Sequence, residues 1–276
     1  MRIIRVLAPV FCGFAVTCTL CADVLVPYYS VTNLGNFIPE AINNLGQVAG
    51  YSYVAASTFH AFLYSGGVMN DLGTLGGSLS SGYGINSSGQ VTGFSFLAGN
   101  SGVHPFLYSG GVMSDLGTLG GSLGDGYGIN NSGQVTGDAS LPGNSTLHAI
   151  LYSGGVMNDL GTLGGSNSSG QAINISGQVA GYSNVNGDSA ERAFLYSGGF
   201  MNDLGTLGGS NSRGNAINTL GQVAGYSDVT GNSGKHAFLY SGGVMKDLGT
   251  LGTDSFGTAI NAAGDVFGFS RACHAL

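Results

Sequence analysis

Charge is scarce in this chain: Asp, Glu, Lys and Arg together make up 8% of its 276 residues, and basic side chains number seven against fourteen acidic ones. Surfaces that neutralise phosphates need clustered Lys and Arg, so this balance excludes nucleic acid and anionic membranes as partners. Beyond residue 22 the sole cysteine is Cys273, so an internal disulfide is excluded there, and packing and backbone hydrogen bonds must hold the fold. The repeats show no helical period and are broken by frequent glycines, which argues against helices. The 52 glycines follow no three-residue period, which excludes collagen, and the regular apolar spacing excludes a disordered Gly/Ser linker.

The first residues read as a separate segment. Arg2 and Arg5 precede an apolar run from Val6 to Leu20, and Ala22 is followed by Asp23. This layout predicts a secretory signal over residues 1–22, with an apolar run too short to span a bilayer comfortably. Its removal leaves a repeat domain over residues 23–276 with no membrane span.

That domain repeats itself. The tract Asp-Leu-Gly-Thr-Leu-Gly begins at Asp71, Asp115, Asp159, Asp203 and Asp247, a constant interval of 44 residues. Such periods belong to arrays whose units bury their apolar faces only against one another. Within one copy, Tyr83-Gly-Ile-Asn86 leads through Ser-Ser-Gly into Gln90–Ser95. An Asn with a Gly three residues later predicts a tight hairpin turn closed by a left-handed glycine. A variable loop over residues 97–103 follows, then His104–Tyr108, a Ser-Gly-Gly turn and Val112–Leu116. Each copy therefore holds four short strands. Phe62, Leu63 and Tyr64 are apolar on successive positions, which suits a sheet covered on both faces.

Four antiparallel strands in about 44 residues predict one propeller blade. First strands fall near Ala41, Tyr83, Tyr127, Gln171, Asn215 and Thr258, which predicts an all-β, six-bladed β-propeller with these strands innermost. Small residues Gly84, Gly128, Ala172 and Ala216 suit a crowded axis. Tyr28–Gly35 resembles a fourth strand, and the C-terminal tracts through His274-Ala-Leu276 resemble strands one to three. The chain ends are thus expected to complete the last blade together and remove open sheet edges. The alternatives are a β-solenoid with two 22-residue rungs per repeat and an open array of hairpin pairs.

The repeated tracts resemble those of the HAF-repeat family of extracellular bacterial proteins. His60-Ala-Phe62 and His236-Ala-Phe238 are intact, with variants His104-Pro-Phe106, His148-Ala-Ile150 and Arg192-Ala-Phe194. The Asp71–Gly77 and Ile85–Gly93 tracts complete the likeness, which covers essentially the whole domain. It implies a secreted, cell-surface or periplasmic protein and no particular reaction. Kelch propellers also carry double glycines, but they use a tryptophan, and this chain has none.

No catalytic, metal or cofactor residue is expected. The histidines at repeat positions are expected to bond neighbouring backbone rather than a metal, because equivalent residues on different blades stay far apart. The recurring Asp71, Asp115, Asp159, Asp203 and Asp247 are expected to accept backbone N–H groups at the Leu-Gly turn. Asn184–Asp188 and Asp228–Asn232 loosely resemble calcium loops but lack the alternating acidic pattern and closing Glu, so they read as polar turns. The remaining expectation is a non-enzymatic scaffold that meets an extracellular protein or glycan with the variable loops on one face. The candidate ligand-facing residues are Asn43, Tyr83, Tyr127, Gln171 and Asn215. An enzyme acting on an extracellular polysaccharide at those same inner positions is the alternative, and a structural role in an envelope layer is a third.

Overall fold

The computed structural model describes residues 37–271. The signal segment, the strand expected at residues 28–35 and the part-strand at 274–276 lie outside the described residues. The described chain forms five four-stranded antiparallel sheets and a final hairpin, each sheet made of strands consecutive in sequence. The first sheet holds β1 (Ile38–Ile42), β2 (Val48–Ala55), β3 (Thr58–Ser65) and β4 (Val68–Gly73). The second holds β5 (Gly76–Ile85), β6 (Val91–Leu97), β7 (Val103–Ser109) and β8 (Val112–Asp115). The third holds β9 (Gly124–Ile129), β10 (Val135–Ser140), β11 (Leu147–Ser153) and β12 (Val156–Asp159). The fourth holds β13 (Gly164–Ile173), β14 (Val179–Val185), β15 (Glu191–Ser197) and β16 (Phe200–Asp203). The fifth holds β17 (Gly208–Ile217), β18 (Val223–Val229), β19 (Lys235–Ser241) and β20 (Val244–Asp247), and the hairpin β21 (Asp254–Ile260) and β22 (Val266–Arg271). A solenoid would pair each rung in parallel with the next. The ladders here run antiparallel within a repeat, with parallel pairing confined to isolated bridges.

Successive sheets pack face to face. First strands lie beside one another, β1 on β5, β5 on β9, β9 on β13, β13 on β17 and β17 on β21, while the fourth strands diverge. The sheets therefore fan outward from a shared inner edge. At that edge a Cβ on Gly84 would stand 3.1 Å from the Tyr127 carbonyl, so the expected small residue is sterically required there. Three of the seams set one large ring against small residues. Phe106 and Val91 of the second sheet pack on Ala49, Ala61 and Leu72 of the first, and Phe238 and Val223 repeat this on Ala180, Ala193 and Leu204. Each sheet buries its faces mainly against its neighbours, which is why the array is locally cooperative.

Asparagine ties the sheets together at the inner hairpin. The Asn86 carbonyl accepts the Gly89 N–H at 3.1 Å, Gly89 has φ 75°, and Asn86 Oδ1 accepts the N–H groups of Ser88 and Gln90 at 3.0 Å. Its Nδ2 then donates 3.0 Å across the seam to the Asn130 carbonyl. The same bond runs from Asn43 to Asn86, Asn130 to Asn174, Asn174 to Asn218 and Asn218 to Asn261. Asn261 makes only the local bond, to Asp265, as Asn86 does to Gln90, and among the described residues no bond carries the series on to Asn43. At this end of the array Phe267 is 74% exposed, whereas its counterparts Ala49, Thr92, Thr136, Ala180 and Ala224 are buried.

Buried serines make a second inter-sheet tie. Ser80 Oγ accepts the Ala61 N–H at 2.8 Å, and Ser168, Ser212 and Ser255 do the same for Ala149, Ala193 and Ala237. The second-to-third seam breaks the rule on both sides at once: Pro105 has no N–H to give, and Gly124 replaces the serine. A Cβ on Gly124 would stand 3.0 Å from Pro105 Cδ. Gly124→Ser alone is expected to lower stability by about 1–3 kcal/mol through crowding. Pro105→Ala alone leaves a buried N–H unpaired, at a similar cost. The double variant should recover most of both losses. A denaturant double-mutant cycle checks this, and additive losses would refute it.

Candidate functional site

The positions that differ between copies meet at the inner edge. In every first strand the ladder slips by one residue, and the extra residue is Glu40, Tyr83, Tyr127, Gln171, Asn215 or Thr258. A bulge re-aims the extra side chain without disturbing the rest of the ladder. The glycine of each Val-x-Gly tract makes the bulge possible. A Cβ on Gly93, Gly137, Gly181 or Gly225 would fall on the carbonyl oxygen of Ser81, Asp125, Ser169 or Arg213. The candidates Tyr83, Tyr127, Gln171 and Asn215 thus share one row.

Asn43 does not belong to that row. It occupies the hairpin position equivalent to Asn86, with Nδ2 bonded to Gln47 and to the Asn86 carbonyl and Oδ1 accepting the Leu45 and Gln47 N–H groups. Its hydrogen-bonding capacity is spent on the turn. Glu40 is the residue of the first copy that takes the bulge position, and it is exposed.

Two residues before each bulge stands a second variable row, paired across the ladder with a third on the second strand. The pairs are Ile38–Tyr51, Ser81–Phe94, Asp125–Asp138, Ser169–Tyr182, Arg213–Tyr226 and Phe256–Phe269. Directly opposed residues share a face, so these rows line one surface. The third row is aromatic in every described copy but one, where Asp138 takes the place of the ring. Aromatics run continuously up to that point. Tyr51 lies 4.7 Å from Phe59, Phe59 6.4 Å from Phe94, Phe94 5.5 Å from Tyr83, and Tyr83 stacks 5.8 Å from Tyr127. Beyond it, Arg213 lies 4.1 Å over the Tyr182 ring and donates 2.7 Å to Glu191.

Asp138 is 6% exposed and accepts a 2.7 Å bond from Ser169 Oγ, which in turn accepts from Gln171 at 2.8 Å. Burial pushes the Asp138 carboxyl up to about 6, with the Asp125 charge adding to the rise and Ser169 and Tyr127 opposing it. Asp125 is also raised by burial, against the pull of Tyr127. Tyr83 is pushed up to about 12, by burial first and then by the charges of Asp125 and Glu40, and Tyr127 is raised by burial, Asp138 and Asp125. The surface around the pair is therefore electronegative, aromatic and poor in water.

The histidines bond differently from the expectation. Each contacts the aspartate of its own repeat rather than backbone: His60 to Asp71 at 3.0 Å, His104 to Asp115 at 2.8 Å, His148 to Asp159 at 2.9 Å and His236 to Asp247 at 2.9 Å. The aspartates also do what the sequence predicts, accepting the N–H of Gly73, Gly117, Gly161, Gly205 or Gly249 at 2.7–2.8 Å. One pairing stamped on repeat after repeat of the outer strands is a fastening. The loops are likewise tied down. Asp188 Oδ1 accepts the Ser166 N–H at 2.7 Å, as Asn100, Asn144 and Asn232 do for Ser78, Ser122 and Ser210, and Asp228 receives Lys235 Nζ at 2.6 Å. These groups hold each second-to-third loop on the preceding linker.

No protein-family model matches the sequence, and no curated protein does. Among solved structures, TolB from Acinetobacter baumannii aligns at 13% identity and TM-score 0.48, covering 71% of this chain and 49% of TolB. The β-propeller domain of the Trilobed protease from Pyrococcus furiosus, described as having an open velcro topology, aligns at 10% identity and TM-score 0.39, covering 58% of this chain and 51% of its own. The chain thus spans about half the length of each.

Proposed function

We propose that this protein is a secreted, non-enzymatic β-propeller of the HAF-repeat type that binds an extracellular protein or glycan at its inner edge. One observation carries the reading: outside the loops between second and third strands, the side chains that differ between copies fall mainly on the bulges and the facing strand positions, while hairpin turns, most seam contacts and outer strands repeat. Selection for stability alone would favour the same residue in each copy, because each copy meets nearly the same surroundings. The fan of sheets and the apolar surface left at its last hairpin support a six-bladed ring completed by residues 28–35 and 274–276. Among the described residues no helix is long and apolar enough to cross a membrane. We place the protein outside the cytoplasm, in the periplasm, on the surface or in the medium. Purified protein should bind saturably in a screen of glycans and surface extracts, and Tyr83→Ala or Tyr127→Ala should weaken that binding about tenfold or more. Absence of saturable binding, or indifference to both substitutions, would overturn the reading.

The enzyme alternative draws on one feature. Asp125 and Asp138 oppose each other, and the raised Asp138 could hold a proton near neutral pH, as a general acid does. Release of reducing ends from an extracellular polysaccharide, abolished by Asp138→Asn, would establish it.

A further inference from the structure

We infer that the inner edge of the first three sheets binds a primary ammonium group presented by the glycan ligand, an inference that rests on the binding role proposed above. The groups that meet there are Glu40, Tyr51, Ser81, Tyr83, Asp125 and Tyr127. Tyr83 is at the centre: it stacks on Tyr127, and Asp125, Glu40 and Tyr51 are the charged or polar neighbours whose fields reach its hydroxyl. No Lys or Arg is among them. Arg213 and Lys235 pair with Glu191 and Asp228, and among the described residues no salt bridge reaches Glu40 or Asp125.

Ser81 supplies an independent pointer. It is 1% exposed, and its hydroxyl has no hydrogen-bond partner among the described residues. It directly opposes Phe94, the ring that touches both Phe59 and Tyr83, so it lies on the aromatic face. Its counterpart Ser169 shows the normal state of such a group, satisfied by donating to Asp138. A buried hydroxyl left unpaired costs free energy unless a ligand completes it. A primary ammonium suits all three features: it donates to a hydroxyl and to carboxylates, and it is attracted to the faces of aromatic rings. A neutral sugar would use the rings but not the charge, and a quaternary ammonium could not bond the hydroxyl.

The test compares a short chitosan oligomer, with free amines, against its fully N-acetylated counterpart by calorimetry on the full chain. The free-amine oligomer should bind about tenfold more tightly, the scale of one desolvated cation–π contact. Asp125→Asn should erase the preference, bringing the free-amine oligomer to the affinity of the acetylated one. Glu40→Gln, at an exposed position where folding is not at risk, should reduce it, as should added salt. Equal or reversed preference would overturn the inference while leaving a glycan scaffold standing. Failure of both oligomers to bind overturns it as well, and binding of an unrelated glycan or protein in the screen then decides whether the scaffold role survives.

Discussion

Asp138→Asn should stabilise this protein at pH 7.5 and do little at pH 3. In the folded state the carboxyl titrates at about 6 rather than at its ordinary 3.8, because burial disfavours its charged form. The sign follows from proton binding. Between these values the folded protein holds a proton that the unfolded chain has released, so stability falls as pH rises through that window and stays low above it. The rise from 3.8 to about 6 corresponds to about 3 kcal/mol. Asparagine keeps an oxygen to accept the Ser169 hydroxyl and removes the charge. The expected gain at pH 7.5 is therefore up to about 3 kcal/mol, or about 10 °C in melting temperature for a domain of this size. Urea unfolding at both pH values reads the effect. No gain at pH 7.5, or an equal gain at both, would show that the carboxylate is not strained by its burial.

That strain bears on function. In the other described copies the position holds a ring: Tyr51, Phe94, Tyr182, Tyr226 and Phe269. A carboxylate in place of a ring, opposed by a second carboxylate, sacrifices stability for something that packing does not need. Exchange of stability for binding is expected at a site and nowhere else in an array of near-identical units. The Asp138 substitution and the ligand titrations therefore interrogate the same surface from opposite sides.

The strands and turns were readable because their causes are local. An Asn followed three residues later by Gly needs only its own backbone to close, and Ser-Gly-Gly likewise. Asn86 also bonds Asn130 in the next sheet, and that was not readable, because a side-chain amide gives no sign of whether its second donor is used locally or 44 residues away. The bulges were hidden for a related reason. Tyr83 and Tyr127 sit in stretches that look like ordinary strands, and only the glycines opposite, pressed against the Ser81 and Asp125 carbonyls, reveal the extra residue. Asn43 is the matching miss: in the divergent first copy Pro39-Glu40-Ala41 disguises the bulge at Glu40, and Asn43 belongs to the Asn-x-x-Gly turn. The paired loss at Pro105 and Gly124 was visible in the letters, since one copy lacks both the alanine and the serine. Its meaning needed the seam, because the two residues belong to different sheets.

Gly181→Ala should be among the most damaging single-methyl additions this fold can receive. Gly181 lies in β14, where the bulged β13 brings the Ser169 carbonyl onto the site a Cβ would fill, and two carbons of the Phe194 ring lie 2.9 Å from that site. Neither neighbour can yield easily: the carbonyl belongs to a backbone held by the bulge, and Phe194 fills the seam with the third sheet. Opening the ladder would break its hydrogen bonds and displace Ser169 from Asp138, so a loss of at least about 3 kcal/mol is expected. Two controls separate this cause from a general intolerance of alanine. Gly66→Ala meets no atom within 4 Å and pays only for its φ of 59°, about 1–2 kcal/mol. Gly268→Ala in β22 faces the same carbonyl clash with Phe256 but sits in the terminal hairpin, where local opening unseats a single neighbouring sheet. Denaturant midpoints should rank Gly181→Ala lowest, with Gly268→Ala above it and Gly66→Ala nearest the parent. If Gly181→Ala falls within about 1 kcal/mol of the parent, the bulge can relax at little cost, and the rigid placement of Tyr83, Tyr127 and Gln171 at the inner edge fails with it.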